Sequence, residues 1–215
     1  MTLRFVSLLS SGTDSPVATH LMLKGGHEGV LLHMDGGRFF PERENEKARK
    51  LACKLEGLHP GRVEMFRSPH HISLEGIMKN SNRKYTCLLC KRSMLMVADG
   101  LCEKVNAEAI VMGDSLGQVA SQTLANLSAV SAGIKHHIIR PLIGYDKVEI
   151  EKIARDIGTD SISFEDIGSC KAAPRFPITN VKPSRLEEEE KKSDLTDLVE
   201  RVLDGTTGLN IGRHR

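Results

Sequence analysis

The 215-residue chain is 40% hydrophobic and 27% charged, and 30 Lys+Arg against 28 Asp+Glu leave a formal net charge of +2. That length suits one α/β domain with a substantial core. So small a net charge excludes nucleic-acid binding by bulk electrostatics alone, and leaves any RNA contact to local clusters such as Lys79 to Lys84. No stretch approaches the roughly 20 apolar residues of a membrane span, and the first residues carry no signal-peptide pattern; no membrane partner and a cytoplasmic setting are expected.

Short aliphatic runs alternate with longer helical ones, which predicts a parallel sheet flanked by helices. Arg4 to Leu9 predicts the first strand, followed by a Ser/Gly loop and a helix from Ser15 that ends at Gly25-Gly26. Pro16 sits in the first turn of that helix, where a missing N–H is harmless. Gly29 to Met34 is a second strand, Glu42 to Leu55 a helix and Arg62 to Phe66 a third strand. Lys91 to Val105 predicts a helix, Ala109 to Met112 a strand, Ser121 to Leu127 the start of a helix and His137 to Arg140 a strand. Asp146 and Glu149 have capping-box spacing ahead of a helix over Lys147 to Ile157, which Gly158 stops. Beyond Ser161 the pattern weakens: Pro174, Pro177 and Pro183 punctuate an extended segment, and a polar helix around Glu187 to Lys192 follows. The four glutamates there predict a solvated face, and the tail after Asp204 predicts fraying. The division expected is a main domain over 1–180 and a C-terminal helical extension over 181–215.

The loop Ser10-Ser11-Gly12-Thr13-Asp14-Ser15 stands between a strand and a helix. Small residues there let backbone N–H groups point inward, and the helix N-terminus adds a partial positive charge, so phosphate is the natural ligand. The loop is neither a Walker A motif nor a Gly-x-Gly-x-x-Gly fingerprint. It resembles the Ser-Gly-Gly-x-Asp-Ser signature of PP-loop ATP pyrophosphatases, with Ser11 where that signature has its first Gly. Two further blocks, Gly113 to Leu124 and Arg140 to Lys147, follow in the order found in the ThiI family of tRNA 4-thiouridine synthetases. The chain is similar to that family over roughly residues 3–192.

The resemblance implies an adenine-nucleotide α-hydrolase-like (PP-loop) fold, with ATP across the C-terminal ends of the strands. The loop Ser10 to Ser15 would hold the pyrophosphate, and Asp14 would help hold Mg²⁺. His33 and Met34 would flank the adenosine. Gly113, Asp114, Gln118 and Gln122 would meet ATP or the activated base, and Arg140 the α-phosphate. A uridine carbonyl of tRNA would be adenylylated with release of pyrophosphate, and sulfur would then displace AMP. Asp14, Asp114 and Cys170 are the expected catalytic residues. Family members carry a ferredoxin-like and THUMP region ahead of the loop; none is visible here, so tRNA binding is expected to involve a separate RNA-binding domain or protein. The same feature keeps a small metabolite or a thiamin-pathway sulfur carrier open as the acceptor, and a non-catalytic nucleotide-binding module is the alternative from another class.

Five cysteines in such a setting argue against a disulfide framework. Cys87 and Cys90 form a Cys-x-x-Cys pair, with Cys170 as a distant third. Three thiolates suit a 4Fe–4S cluster with one iron open to sulfide, the arrangement the resemblance implies for archaeal relatives. Zinc, with a fourth ligand such as His70, His71, Cys53 or Cys102, and free redox thiols are the alternatives. Cys53 and Cys102 lie in helical patterns and are expected to be small buried hydrophobes. A sulfur donor is required, and a homodimer is compatible with the sequence.

Overall fold

The computed structural model describes residues 2–117 and 122–211. Gln118 and the helix start expected at Ser121 therefore lie outside the described residues. Among those residues the strands are β1 (Arg4–Leu8), β2 (Glu28–Met34), β3 (Val63–Ser68), β4 (Ala109–Val111), β5 (His137–Ile139) and β6 (Thr207–Leu209), in one sheet ordered β5-β4-β1-β2-β3-β6. The first five pair in parallel and β6 pairs antiparallel to β3. The chain steps outward from β1 through β2 to β3, then returns to the other side of β1 with β4. The gap above β1 and β4 is thus the point where open α/β sheets bind ligands.

Helices cover both faces, which is why β1 and β2 are buried at every position but their first. On one face Val6, Leu8, Val30 and Leu32 pack with Ile77 of α3 (His71–Asn80), Leu88, Leu95 and Leu101 of α4 (Thr86–Val105) and Val130 of α5 (Leu124–Ser131). On the other, Phe5, Leu31, Met65 and Val111 pack with Val17 and Leu23 of α1 (Asp14–Lys24) and Leu55 of α2 (Glu44–Leu58). Ile150 of α6 (Lys147–Asp156) joins that second cluster, and the short α7 (Asp160–Ser163) follows. The capping box at α6 is present, with Asp146 accepting from the Glu149 N–H at 2.8 Å and Glu149 accepting from the Asp146 N–H at 2.9 Å.

Five expectations are corrected or sharpened. The segment His71–Asn80, read as no element, is helical; Gly76 masks it, and it is glycine because a Cβ there would lie 2.4 Å from Leu198. The helix predicted from Lys91 begins at Thr86, so both cysteines of the pair lie in its first turns. The expected extension is two helices, α8 (Pro183–Ser193) and α9 (Leu195–Asp204), whose Leu186, Leu195, Val199 and Val202 enter the same core as β1 and β2. Its acidic run is not a solvated face throughout: Glu189 accepts the Asn82 N–H at 2.6 Å, and Glu190 pairs with Arg92 at 3.3 Å. Past Asp204 the described residues, to Ile211, do not fray, since Thr207–Leu209 pairs with β3 as an edge strand.

Candidate active site

The phosphate loop leaves β1 with its own polar groups largely satisfied. The Ser10 N–H donates to Ser15 Oγ at 2.9 Å, and the Gly12 N–H donates to Ser10 Oγ at 3.3 Å. Ser11 donates to the Glu44 carboxylate twice, from N–H at 3.3 Å and from Oγ at 2.5 Å. Among the described residues the only non-glycine residues with positive φ are Asn106 and Asp194, so Ser11 has ordinary backbone geometry and its Cβ costs nothing. The N-cap of α1, Thr13, makes no side-chain cap bond. The first N–H groups of α1 thus stay open to an anion. Asp14 opens the helix; burial pushes its carboxyl above the usual range, with Lys147 opposing and Asp114 and Glu151 reinforcing the rise.

Gly113 lies against this loop. A Cβ on it would stand 2.7 Å from the Ser15 N and 2.8 Å from the Asp14 carbonyl carbon, both backbone atoms that cannot swing away. Gly113→Ala is therefore expected to lower stability by about 1–3 kcal/mol, read as a fall in the urea midpoint at unchanged slope; an unchanged midpoint would contradict the close approach.

Asp114, beside it, is almost fully buried and carries two cations: Lys91 Nζ at 2.6 Å and Arg140 Nε at 3.1 Å. Arg140 also donates to Ser131 Oγ at 2.8 Å, so its guanidinium is held by protein groups on two sides. Two cations on one carboxylate leave an excess positive charge here. Two buried polar atoms of the same motif, Ser115 Oγ and Gln122 Oε1, have no hydrogen-bond partner among the described residues. Unpartnered buried groups are costly unless something binds them.

Between β1 and β2 a pocket of about 180 Å³ opens, walled mainly by Leu8, Leu9, Leu32, Met34, Phe40 and Met94. Ser10, His33 and Glu44 complete its lining. His33 is not a free donor: its Nδ1 meets the Leu9 carbonyl at 3.1 Å and its Nε2 meets Asn45 Oδ1 at 2.7 Å.

Cys90 and Cys170 both pack against a small apolar cluster of Phe39, Leu74 and Ala172. Cys170 arrives on the segment before α8, which is pinned where the Lys171 N–H donates to the Phe39 carbonyl at 2.8 Å. Burial pushes the Cys90 thiol far up, with the charges of Cys170 and Cys87 adding to the rise. Burial and then Cys170 likewise raise Cys87, while Lys91 opposes both shifts. His70 Nε2 lies 3.1 Å from Cys90 Sγ, its Nδ1 is buried without a partner, and burial holds its pKa down to about 4. Among the described residues no three His, Cys, Asp or Glu side chains form a ready metal-ligand set. The donors are nonetheless those a soft metal prefers, three thiols and a neutral imidazole. Cys102 is buried in the core with its pKa pushed up to about 12 by desolvation, and Cys53 is half-buried at 3.9 Å from the Ile211 carbonyl; neither adjoins the trio.

The structure thus gathers the loop, Gly113, Asp114, Gln122, Arg140 and the cysteine trio at one end of the sheet. Lys91 and Glu44 were not foreseen. Lys91 had a signal, since it directly follows Cys90 on the helix; Glu44 had none.

A parallel α/β sheet carrying this loop at its switch point defines a PP-loop, adenine-nucleotide α-hydrolase-like protein. A family model described as thiamine biosynthesis protein (ThiI) matches residues 2–195. The chain belongs to the ThiI family. It is 42% identical over 201 residues to a protein of Methanothermobacter thermautotrophicus named "Probable tRNA sulfurtransferase", covering 93% of this chain and 52% of that one. It is 39% identical over 196 residues to a protein of the same name from Methanocaldococcus jannaschii, covering 89% and 50%. The chain therefore spans about half the length of the curated relatives it matches. A solved 4-thiouridine synthetase–RNA complex with bound ATP superposes with a TM-score of 0.91 at 33% identity, over 96% of this chain and 54% of that one. An NMN synthetase from Francisella tularensis, 13% identical with a TM-score of 0.57 over 93% and 83%, shares the fold alone. No helix of the described residues is long and apolar enough to cross a membrane.

Proposed function

We propose that this chain is the catalytic region of an ATP-dependent tRNA sulfurtransferase that makes 4-thiouridine. The observation that carries the reading is Lys91. It follows Cys90 on α4 and bonds Asp114 at 2.6 Å, while Gly113 abuts the phosphate loop. Groups suited to activation and groups suited to sulfur transfer therefore share one site.

In this reading the adenine lies in the apolar pocket beside Met34, and the open N–H groups at the start of α1 receive the phosphates. Asp14 helps hold Mg²⁺, which neutralises the departing pyrophosphate. The base carbonyl oxygen bonds to the α-phosphorus as the bond to pyrophosphate breaks. Lys91 and Arg140, fixed by Asp114, supply positive charge where the α-phosphate gains negative charge. In this scheme Ser115 Oγ and Gln122 Oε1 hydrogen-bond the base edge. A sulfur nucleophile delivered by a donor to the thiol trio then bonds to the base carbon, and AMP departs with the oxygen. Cys87, Cys90 and Cys170 would hold a 4Fe–4S cluster, which when bound offers an open iron for sulfide; with His70 as fourth ligand they would suit zinc. The exposed Lys79, Arg83 and Lys84, just before α4, are positioned for RNA phosphates. The working compartment is the cytoplasm.

Pyrophosphate release, measured with and without unmodified tRNA, tests the first half. Stimulation by tRNA and appearance of 4-thiouridine in digested nucleosides are expected. ATP turnover with a small acceptor and none with tRNA would overturn the tRNA reading. Cys170→Ser is expected to abolish thiolation while pyrophosphate release continues; thiolation at the parent rate removes Cys170 from the chemistry. Anaerobically purified protein is expected to carry iron and acid-labile sulfide, and stoichiometric zinc without iron would eliminate the cluster.

A further inference from the structure

The Ser11–Glu44 contact is part of neither the family signature nor the scheme above. Glu44 begins α2, where its carboxylate is favoured by the helix dipole. From there it accepts both donors of Ser11, the hydroxyl at 2.5 Å and the N–H at 3.3 Å. The same helix holds a second brace one turn on. Lys47, 5% exposed, donates to the carbonyls of Ser163 at 2.8 Å and Glu165 at 2.6 Å, and Ser163 Oγ reaches the Gly12 carbonyl at 3.4 Å. The loop is therefore clamped from α2 directly through Ser11, and indirectly through Gly12.

We propose that Glu44 is a positioning residue for nucleotide binding: it latches the phosphate loop through Ser11, so that the open N–H groups at the start of α1 face the phosphates. A glycine at position 11 could donate its N–H but not a hydroxyl, so the serine and the glutamate form one device. The latch supplies a strong charge-assisted bond at the loop position where a side chain otherwise has no role. Glu44 also lines the apolar pocket beside the loop, which ties the loop's geometry to the wall receiving the base. The inference rests on the nucleotide reading above.

A double-mutant cycle on the full chain tests it, with the Kd for ATP·Mg²⁺ measured without tRNA and the KM for ATP in pyrophosphate release. Glu44→Ala is expected to weaken ATP binding about 10-fold, as for loss of a hydrogen bond to a charged group, raising KM with kcat at saturating ATP changed less than about 3-fold. Glu44→Gln, which keeps one acceptor, should fall between. In the Ser11→Gly background Glu44→Ala should cost less than about 3-fold, because its partner is already gone. A merely structural role for Glu44 would lower the urea midpoint alike in both backgrounds without this coupling. Unchanged or tighter ATP binding by Glu44→Ala would overturn the latch and make Glu44 an anion that ATP displaces; additive effects would overturn it too. A parent chain that binds no ATP would overturn the nucleotide reading together with this one, whereas a parent that binds ATP with no coupling overturns the latch alone.

Discussion

Asp14→Ala is expected to reduce tRNA-stimulated pyrophosphate release by about 10²- to 10³-fold, the usual effect of deleting one group that stabilises developing charge, without lowering the melting temperature. The two halves of that expectation have one cause. Burial raises the Asp14 carboxyl pKa, and the neighbouring Asp114 and Glu151 add to the rise despite Lys147. An acid whose folded pKa lies above its unfolded value favours folding when protonated, and that contribution is lost as pH rises through the folded pKa. At neutral pH the Asp14 carboxyl therefore works against folding, and a bound cation would relieve that strain. Removing it should leave stability equal or higher while activity collapses, the trade-off typical of functional sites. Calorimetry of parent and variant at pH 7, beside the pyrophosphate assay, checks both halves. An Asp14→Ala variant as active as the parent would remove the central assignment.

The second large effect belongs to Asp114→Ala. This change leaves Lys91 and Arg140 without their shared carboxylate, and both side chains are mostly buried, 17% and 16% exposed. Uncompensated buried charge costs about 3–5 kcal/mol, which for a chain of this size lowers Tm on the order of 10 °C. Adding Lys91→Met should recover part of the loss, because it removes one of the stranded cations; the double variant is then more stable than Asp114→Ala alone. Thermal melts of the three proteins decide this, and an Asp114→Ala variant melting with the parent would show that the network is not the anchor described.

Features that depend on neighbours along the chain were legible. Ser10 to Ser15 could be read as a phosphate loop because one small-residue turn between a strand and a helix has few other uses, and the Asp146–Glu149 capping box because its two bonds span three residues. The cysteine pair was legible from its Cys-x-x-Cys spacing, whereas its place in the first turns of α4 was not. The α3 helix was not: its apolar positions are interrupted by a glycine whose purpose is to admit Leu198 from far along the chain. Nor was β6, whose three residues gain their strand geometry only from the edge of β3. The acidic run at Glu187 to Glu190 misled because periodicity does not show that Arg92 and the Asn82 N–H wait opposite two of its members.

At the site itself the sequence alone determined which groups are present: a small-residue loop between a strand and a helix, an acidic and amide-rich motif, and three thiols. Only the tertiary structure decided how they are wired. It placed Arg140 and Lys91 on Asp114, occupied both ring nitrogens of His33, and left Ser115 Oγ and Gln122 Oε1 without partners among the described residues. It also gave Ser11 the partner that justifies a serine in a glycine's place, the carboxylate of Glu44 33 residues away. The reason is physical. Backbone conformation and capping are set by residues a few positions apart, whereas charge pairing and desolvation depend on which surfaces the sheet brings face to face.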